Sequence, residues 1–206
     1  MLSRQKNSLK KEGEIEKINL DEIINKIADE IIERHEAHLD KLALIGVLTH
    51  GVFIAKRIKN IIEKKTKVKM PLGVLDVTLY RDDINSLGTV CKHPVKETKI
   101  EFDVTGRIII LVDDVLYTGR SVRAALDEIM DFGRPMKVEL AVAIDRGGRE
   151  LPIQPNYVGK VIHLPDPDKI IRISMKEVDD KDEIKALSLG NAVSVAKNRK
   201  RSDKKY

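Results

Sequence analysis

Aromatic side chains make up only 3% of the 206 residues, tryptophan is absent, and there is a single cysteine, Cys91. One cysteine rules out an internal disulfide and fits a reducing cytoplasm. No apolar run approaches the ~20 residues of a membrane span, and the polar start of the chain lacks the features of a signal peptide, so no membrane partner is expected. A core with so few aromatics must be filled by branched aliphatics, as in a buried parallel sheet with helices on both faces. The hydrophobic fraction of 42% is enough for such a core. The net charge of +5 is modest for one domain of this size; it permits phosphate-bearing partners without indicating nucleic acid by itself. Two common phosphate motifs are also missing. Gly46 to Gly51 has the glycine spacing of a nucleoside-triphosphate loop, but Val52 and Phe53 stand where lysine and a hydroxyl residue belong, and no Gly-x-Gly-x-x-Gly follows a strand.

Residues 1–17 are polar with no apolar period and are expected to form a mobile leader; residues 185–206 form an extension ending in a basic tail over 196–206. Between them, over 18–184, short apolar runs alternate with amphipathic segments. Leu20, Ile23, Ile24, Ile27 and Ile31 share one helical face, and Asn19 with Glu22 resembles a capping box. Leu42 to Val47 predicts a buried strand, followed by a helix carrying Ile54, Ile58, Ile61 and Ile62. Further strands are expected at Val74 to Leu79, Ile108 to Val112, Val138 to Ile144, Val158 to Leu164 and Ile170 to Ser174. A helix with Val122, Ala125, Leu126 and Ile129 inward should stop near Gly133. This alternation implies an α/β fold with a central, mostly parallel sheet flanked by helices, and ligands at the carboxyl ends of its strands.

The most informative segment is Val112-Asp113-Asp114-Val115-Leu116-Tyr117-Thr118-Gly119-Arg120-Ser121, which joins the most apolar strand to a helix. A helix start offers backbone N–H groups and a positive dipole end, both of which attract phosphate. Gly119 allows close approach of an anion, Thr118 and Ser121 add hydroxyls, and Arg120 can add charge. The two carboxylates precede that nest at a distance suited to sugar hydroxyls and a divalent cation. Together they describe a site for a ribose 5-phosphate.

Val112 to Ala124 resembles the phosphoribosyl-pyrophosphate (PRPP) signature of type I phosphoribosyltransferases. Leu75 to Asp83, Gly133-Arg134-Pro135, Asp145-Arg146-Gly147 and Arg149-Glu150-Leu151-Pro152-Ile153 narrow the resemblance to the bacterial pyrimidine-operon regulators (PyrR), a family with uracil phosphoribosyltransferase activity. The similarity runs from about Ile18 to about Ile184. It implies the type I phosphoribosyltransferase fold with a flexible hood, uracil and PRPP as substrates, Mg2+ bound with PRPP, UMP as product, a homo-oligomer, and a pyrimidine-operon leader RNA as partner. By the same resemblance, Asp113 and Asp114 are the ribose-binding acids and reach the metal through ribose or water. Val115, Leu116, Tyr117, Thr118, Gly119, Arg120 and Ser121 bind the nucleotide, and Thr49-His50-Gly51 forms the pyrophosphate loop. Asp145 and Arg146 begin the base-side loop. Tyr80-Arg81-Asp82-Asp83 begins the hood, with Arg81 joining Asp113 and Asp114 as a catalytic residue.

The chain departs from the family in several places. His50 stands where the family usually has arginine; an arginine is always charged and forks onto phosphate, whereas a histidine does so only when protonated. His50 either weakens the grip on pyrophosphate or merely preserves a turn with its side chain in solvent. Gly148 occupies a position where many members have histidine. On the first helix the family's Thr-Arg-x-x-His becomes Asn25-Lys26-Ile27-Ala28-Asp29, and Gln154 replaces a frequent arginine. Lys26, Arg149 and Lys160 remain as RNA-contact candidates. Two rivals follow: a nucleotide-sensing RNA-binding regulator that has lost catalysis, and a phosphoribosyltransferase for another base.

Overall fold

The computed structural model describes residues 18–77, 98–164, 166 and 168–188. The expected leader, hood start (Tyr80, Arg81, Asp82, Asp83) and basic tail lie outside the described residues, as does Cys91. Helix α1 (Leu20–Arg34) buries the predicted isoleucine stripe. Its cap is a variant of the capping box. Asn19 accepts from Asp21 N at 3.0 Å, but Glu22 accepts from the Asn19 side-chain amide at 3.0 Å rather than from its backbone. A short 3-10 turn (Glu36–Lys41) leads into β1 (Leu42–Val47), then α2 (His50–Thr66) and β2 (Leu72–Leu75). The chain continues with β3 (Ile108–Leu116), α3 (Arg120–Asp131), β4 (Lys137–Asp145) and β5 (Tyr157–Val161). It finishes with β6 (Lys169–Ser174), the single turn α4 (Lys176–Asp179) and β7 (Glu183–Ser188).

Strands β1 to β5 form one parallel sheet in the order β2-β1-β3-β4-β5. Alternation of side chains sorts the strand residues into two cores. Leu42, Leu44, Ile108, Ile110 and Val112 face α1 and α2; Ala43, Ile45, Val47, Ile109 and Leu111 face α3. Burial of each such aliphatic contributes roughly 1.5–3 kcal/mol.

Four boundaries differ from expectation. β2 begins at Leu72, before the predicted Val74, because Leu72 and Gly73 pair with Leu44 and Ile45. β3 does not stop at Val112: its ladder with β4 continues through Asp113, Val115 and Leu116, so the two acids stand in the strand rather than in a loop after it. β5 covers Tyr157–Val161 rather than Val158 to Leu164. β6 does not join the parallel sheet. It pairs antiparallel with β7, a strand missing from the sequence reading, and Ile171, Ile173 and Ile184 anchor that hairpin to the α1–α2 core. β7 also carries the fold past Ile184 to Ser188. Among the described residues no helix is long and apolar enough to cross a membrane.

Candidate active site

The strand order reverses beside β1: the chain steps from β1 out to β2, then returns to β3 on β1's other side. Such a switch point leaves a crevice at the carboxyl ends of the two strands. Parallel pairing sets Gly46 beside Val112, which brings the loop after β1 against the end of β3. The approach is close. A Cβ at Gly51 would lie 2.5 Å from the Val112 carbonyl oxygen and 3.1 Å from Asp113 Cα, so Gly51 serves the packing of α2 on β3. The Leu48–Thr49 peptide bond just ahead of it is cis.

Asp113 and Asp114 are 6% and 8% exposed. Each is oriented by the strand itself: Asp113 Oδ1 accepts from Asp114 N at 2.9 Å, and Asp114 Oδ1 accepts from Val115 N at 2.8 Å. The second Asp114 oxygen, Oδ2, is 3.2 Å from His50 Nδ1. His50 is therefore not the solvent-facing turn residue that one reading of the sequence allowed. It is 9% exposed, and its Nε2 lies 3.4 Å from Asp179 Oδ2.

Beyond the acids, Leu116 is buried and Val115 half-buried, while Tyr117 is exposed. Thr118 is buried; its Oγ1 accepts from Arg120 N at 3.3 Å, and its carbonyl accepts from Glu150 N and Leu151 N. Gly119 has φ +93°, a left-handed conformation that glycine adopts without penalty, and its carbonyl starts α3 by accepting from Arg123 N. The Thr118-Gly119-Arg120-Ser121 turn thus presents the first N–H groups of a 12-residue helix at the crevice. Arg120 differs from expectation: its guanidinium is exposed and pairs with Glu150 at 2.6 and 2.8 Å, so its charge is shared with that carboxylate rather than dedicated to the nest.

The loop after β4 completes the crevice. Arg146 N bonds to Leu116 O, and the Arg146 guanidinium stacks 4.0 Å from the Tyr117 ring centroid while donating to Lys169 O at 2.6 Å. Asp145 accepts from Gly147 N and forms an ion pair with Arg149 at 2.6 Å. Arg149 also donates to the Tyr117 and Ile153 carbonyls, at 2.9 and 3.0 Å. Its guanidinium is consumed inside the loop, which counts against the RNA role expected for it. Gly148 is filled in space by Tyr117, whose Cε2 would lie 2.4 Å from a Cβ there. Thus Tyr117 occupies the room that a side chain at that position would need. Of the other RNA candidates, Lys26 donates to the Val158 and Gly159 carbonyls at 2.9 and 3.3 Å, and Lys160 is exposed. Asp29 pairs with Lys65 at 2.5 Å.

The sequence reading missed Asp179 and Arg57. Arg57 forks onto Glu177 and Asp182 with contacts of 2.7–3.0 Å, which raises its pKa and lowers those of both acids. In the sequence, Glu177 to Glu183 is a run of acids with a single lysine among them, Lys181, and such a run usually marks a solvated face.

Comparison with known proteins identifies the family and the fold. The phosphoribosyl transferase domain family matches residues 13–177. The bifunctional protein PyrR of Elusimicrobium minutum is 48% identical over 183 residues, covering 88% of this chain and 97% of that protein. The PyrR of Halalkalibacterium halodurans is 48% identical over 159 residues, covering 77% of this chain and 87% of that protein. Among solved structures, a hypoxanthine-guanine phosphoribosyltransferase from Bacillus anthracis superposes with a TM-score of 0.61 at 20% identity. It covers 82% of this chain and 93% of its own length, and it shows the shared fold alone. By the match of its sequence to the domain family over residues 13–177 and to these relatives over most of its length, the chain belongs to the phosphoribosyl transferase domain family and, within it, to the PyrR bifunctional proteins.

Proposed function

We propose that the chain transfers a phosphoribosyl group from PRPP to uracil, forming UMP and pyrophosphate, and that it is a pyrimidine regulator of the PyrR kind. The observation that carries this is the convergence of Asp113, Asp114, His50 and the Thr118–Ser121 turn at one switch point. Asp113 and Asp114 hold the ribose hydroxyls, their backbone-bonded oxygens keeping the other two aimed. The Thr118–Ser121 turn receives the 5-phosphate at the α3 N-terminus. Thr49-His50-Gly51 receives the pyrophosphate, and the Asp145-Arg146 loop borders the base. As pyrophosphate leaves, positive charge develops at C1 and uracil N1 attacks it; rigid strand ends supply the positioning that such a reaction needs.

Mg2+ fits this donor set. Among the described residues no cluster of three His, Cys, Asp or Glu side chains could hold a metal by itself. The adjacent carboxylates Asp113 and Asp114 offer the hard oxygen ligands that suit a magnesium arriving on phosphate oxygens. When bound, it would neutralise charge on the departing pyrophosphate, with Asp113 and Asp114 reaching it through ribose or water.

An assay of UMP formation from uracil, PRPP and magnesium, with guanine, hypoxanthine and xanthine alongside, tests the assignment. UMP formation that exceeds every purine product is expected; a preference for a purine base would replace uracil. Because an arginine forks onto phosphate and carries permanent charge, His50→Arg should lower the KM for PRPP. An unchanged KM would show that His50 is no handicap.

RNA binding, on the same proposal, is weak and governed by salt. Arg149 and Lys26 spend donors on internal carbonyls, and the remaining positive charge includes the Lys197-Asn198-Arg199-Lys200-Arg201 cluster of the basic tail. Charge without arranged base contacts gives affinity that falls steeply with salt and discriminates little between sequences. Gel shifts on a pyrimidine-operon leader and a scrambled control should show similar, salt-sensitive binding that drops on deleting residues 196–206. Tight, UMP-enhanced binding to the leader alone, surviving that deletion, would contradict it.

A further inference from the structure

Asp179 reaches the crevice from an element that sequence does not connect to it. It is the last residue of α4, the turn between β6 and β7. Its Oδ2 lies 3.4 Å from His50 Nε2 and accepts from Met175 N at 3.1 Å, and its Oδ1 is 3.8 Å from Arg172. Its side chain is as shielded from solvent as that of His50, each 11% exposed. The other ring nitrogen of His50 faces Asp114 at 3.2 Å. A carboxylate oxygen thus faces each ring nitrogen of His50, one from the proposed ribose site and one from the hairpin.

Docking of the hairpin does not depend on those contacts. Arg57 lies seven residues after His50, two turns along the same face of α2. It holds the hairpin turn through Glu177 and Asp182, and Ile171, Ile173 and Ile184 bury into the α1–α2 core. The contact from Asp179 to His50 thus adds little to attachment. What it constrains is the orientation of a ring beside the ribose acids.

We infer that Asp179 is a positioning residue, holding the His50 imidazole against Asp114 so that the pyrophosphate end of PRPP meets a ring already fixed in place. This rests on the phosphoribosyl assignment above. A ring without its second contact can rotate and flip, and the substrate must then order it; a carboxylate that orients a functional histidine removes that cost. Arg172, close to Asp179 but buried enough that desolvation lowers its pKa, offsets part of the negative charge gathered on the two sides of the ring. The interaction affected is the one with PRPP and pyrophosphate; uracil has no part in it.

Asp179→Asn keeps an oxygen for Met175 N and removes the charge facing His50. In the full-length protein it should raise the KM for PRPP about 3- to 10-fold, with the KM for uracil and the unfolding midpoint nearly unchanged. In a His50→Ala background the same substitution should leave the Kd for PRPP, measured by calorimetry, unaltered. Arg57→Lys, which loosens the hairpin without touching His50, should lower the unfolding midpoint and spare the KM ratio. Side-chain NMR of His50 at one fixed pH should show a single ring environment in the parent and exchange broadening in Asp179→Asn. An unchanged KM for PRPP, or a rise of equal size when His50 is already alanine, overturns the proposal. Failure of the parent protein to bind PRPP at all sinks the phosphoribosyl assignment, and this proposal with it.

Discussion

A protein carrying Asp113→Asn and Asp114→Asn together should lose measurable binding of PRPP and UMP, and its kcat/KM should fall by about 10²- to 10³-fold or more. Its unfolding midpoint should stay close to that of the parent. The separation of the two effects follows from how the acids are held. In each, Oδ1 accepts a backbone N–H one residue on, at 2.9 Å in Asp113 and 2.8 Å in Asp114. Asparagine retains that oxygen, so the strand loses no hydrogen bond. What disappears is negative charge at the carboxyl end of β3, where sugar hydroxyls and the cation of PRPP would find their acceptors. Asp114→Asn also removes the anion 3.2 Å from His50 Nδ1, so the hold on the His50 ring is loosened by the same change. Calorimetry with UMP and with PRPP-magnesium, beside a thermal melt, decides the matter. Undiminished affinity for both ligands would remove the ribose assignment.

The adjacency of much of this candidate site was legible in the sequence because its residues are local. The acids, Thr118, Gly119 and Ser121 fall within nine residues that also contain a strand end and a helix start, so adjacency in the chain already implied adjacency in space. The parallel sheet was legible for a similar reason: runs such as Leu42 to Val47 and Ile108 to Val112 are apolar on both faces. The exact end of β3 was not, since an aspartate pair reads as loop, and only its ladder with β4 keeps those residues extended. Partnerships between distant segments were hidden as well. Asp179 meets His50 across 129 residues, and Arg149 turns inward because four main-chain carbonyls and Asp145 curl around it, an arrangement no spacing rule encodes. β7 was missed because Glu183–Ser188 alternates weakly, with Ile184 its single buried residue.

A second large effect is expected near the amino ends of the strands. Glu139 in β4 is fully buried, with Oε2 2.5 Å from the Tyr157 hydroxyl and 2.8 Å from His35 Nε2, while Oε1 faces Lys137 in direct contact. Burial pushes its carboxyl up, but the bonds from Lys137, Tyr157 and His35 together outweigh it and hold the group at about 2. A carboxylate whose folded pKa lies below its ordinary value of 4.5 stabilises the fold above that value, and the contribution drains away as pH falls toward 2. The difference corresponds to roughly 3 kcal/mol. Glu139→Gln should therefore destabilise the protein at pH 7 by about 2–4 kcal/mol, because His35, Tyr157 and Lys137 lose their shared anion. It should also flatten the loss of stability between about pH 4.5 and 2. Glu63, held at about 2 by Lys59, Met70 N and Lys69, leaves the variant some residual acid sensitivity. Urea unfolding at neutral and acid pH measures both quantities, and an equal pH slope in parent and variant would mean that Glu139 is not the responsible group.

The division of the interior into two cores has a further meaning for the ligand. α2, which begins at His50, belongs to one side of the sheet, and α3, which begins at Arg120, belongs to the other. The covalent route between them passes through β2, the segment beyond it and β3, so the two helices touch mainly through the strands they flank. On the proposed pose, PRPP, with its 5-phosphate at one helix start and its pyrophosphate at the other, would be a cross-brace over the top of the sheet. Saturation at a hundred times Kd adds about 2.7 kcal/mol to the stability of such an assembly. On the proposed pose that linkage stabilises the folded state as a whole, so the rise of the unfolding midpoint with PRPP concentration is a direct readout of how fully the site is occupied.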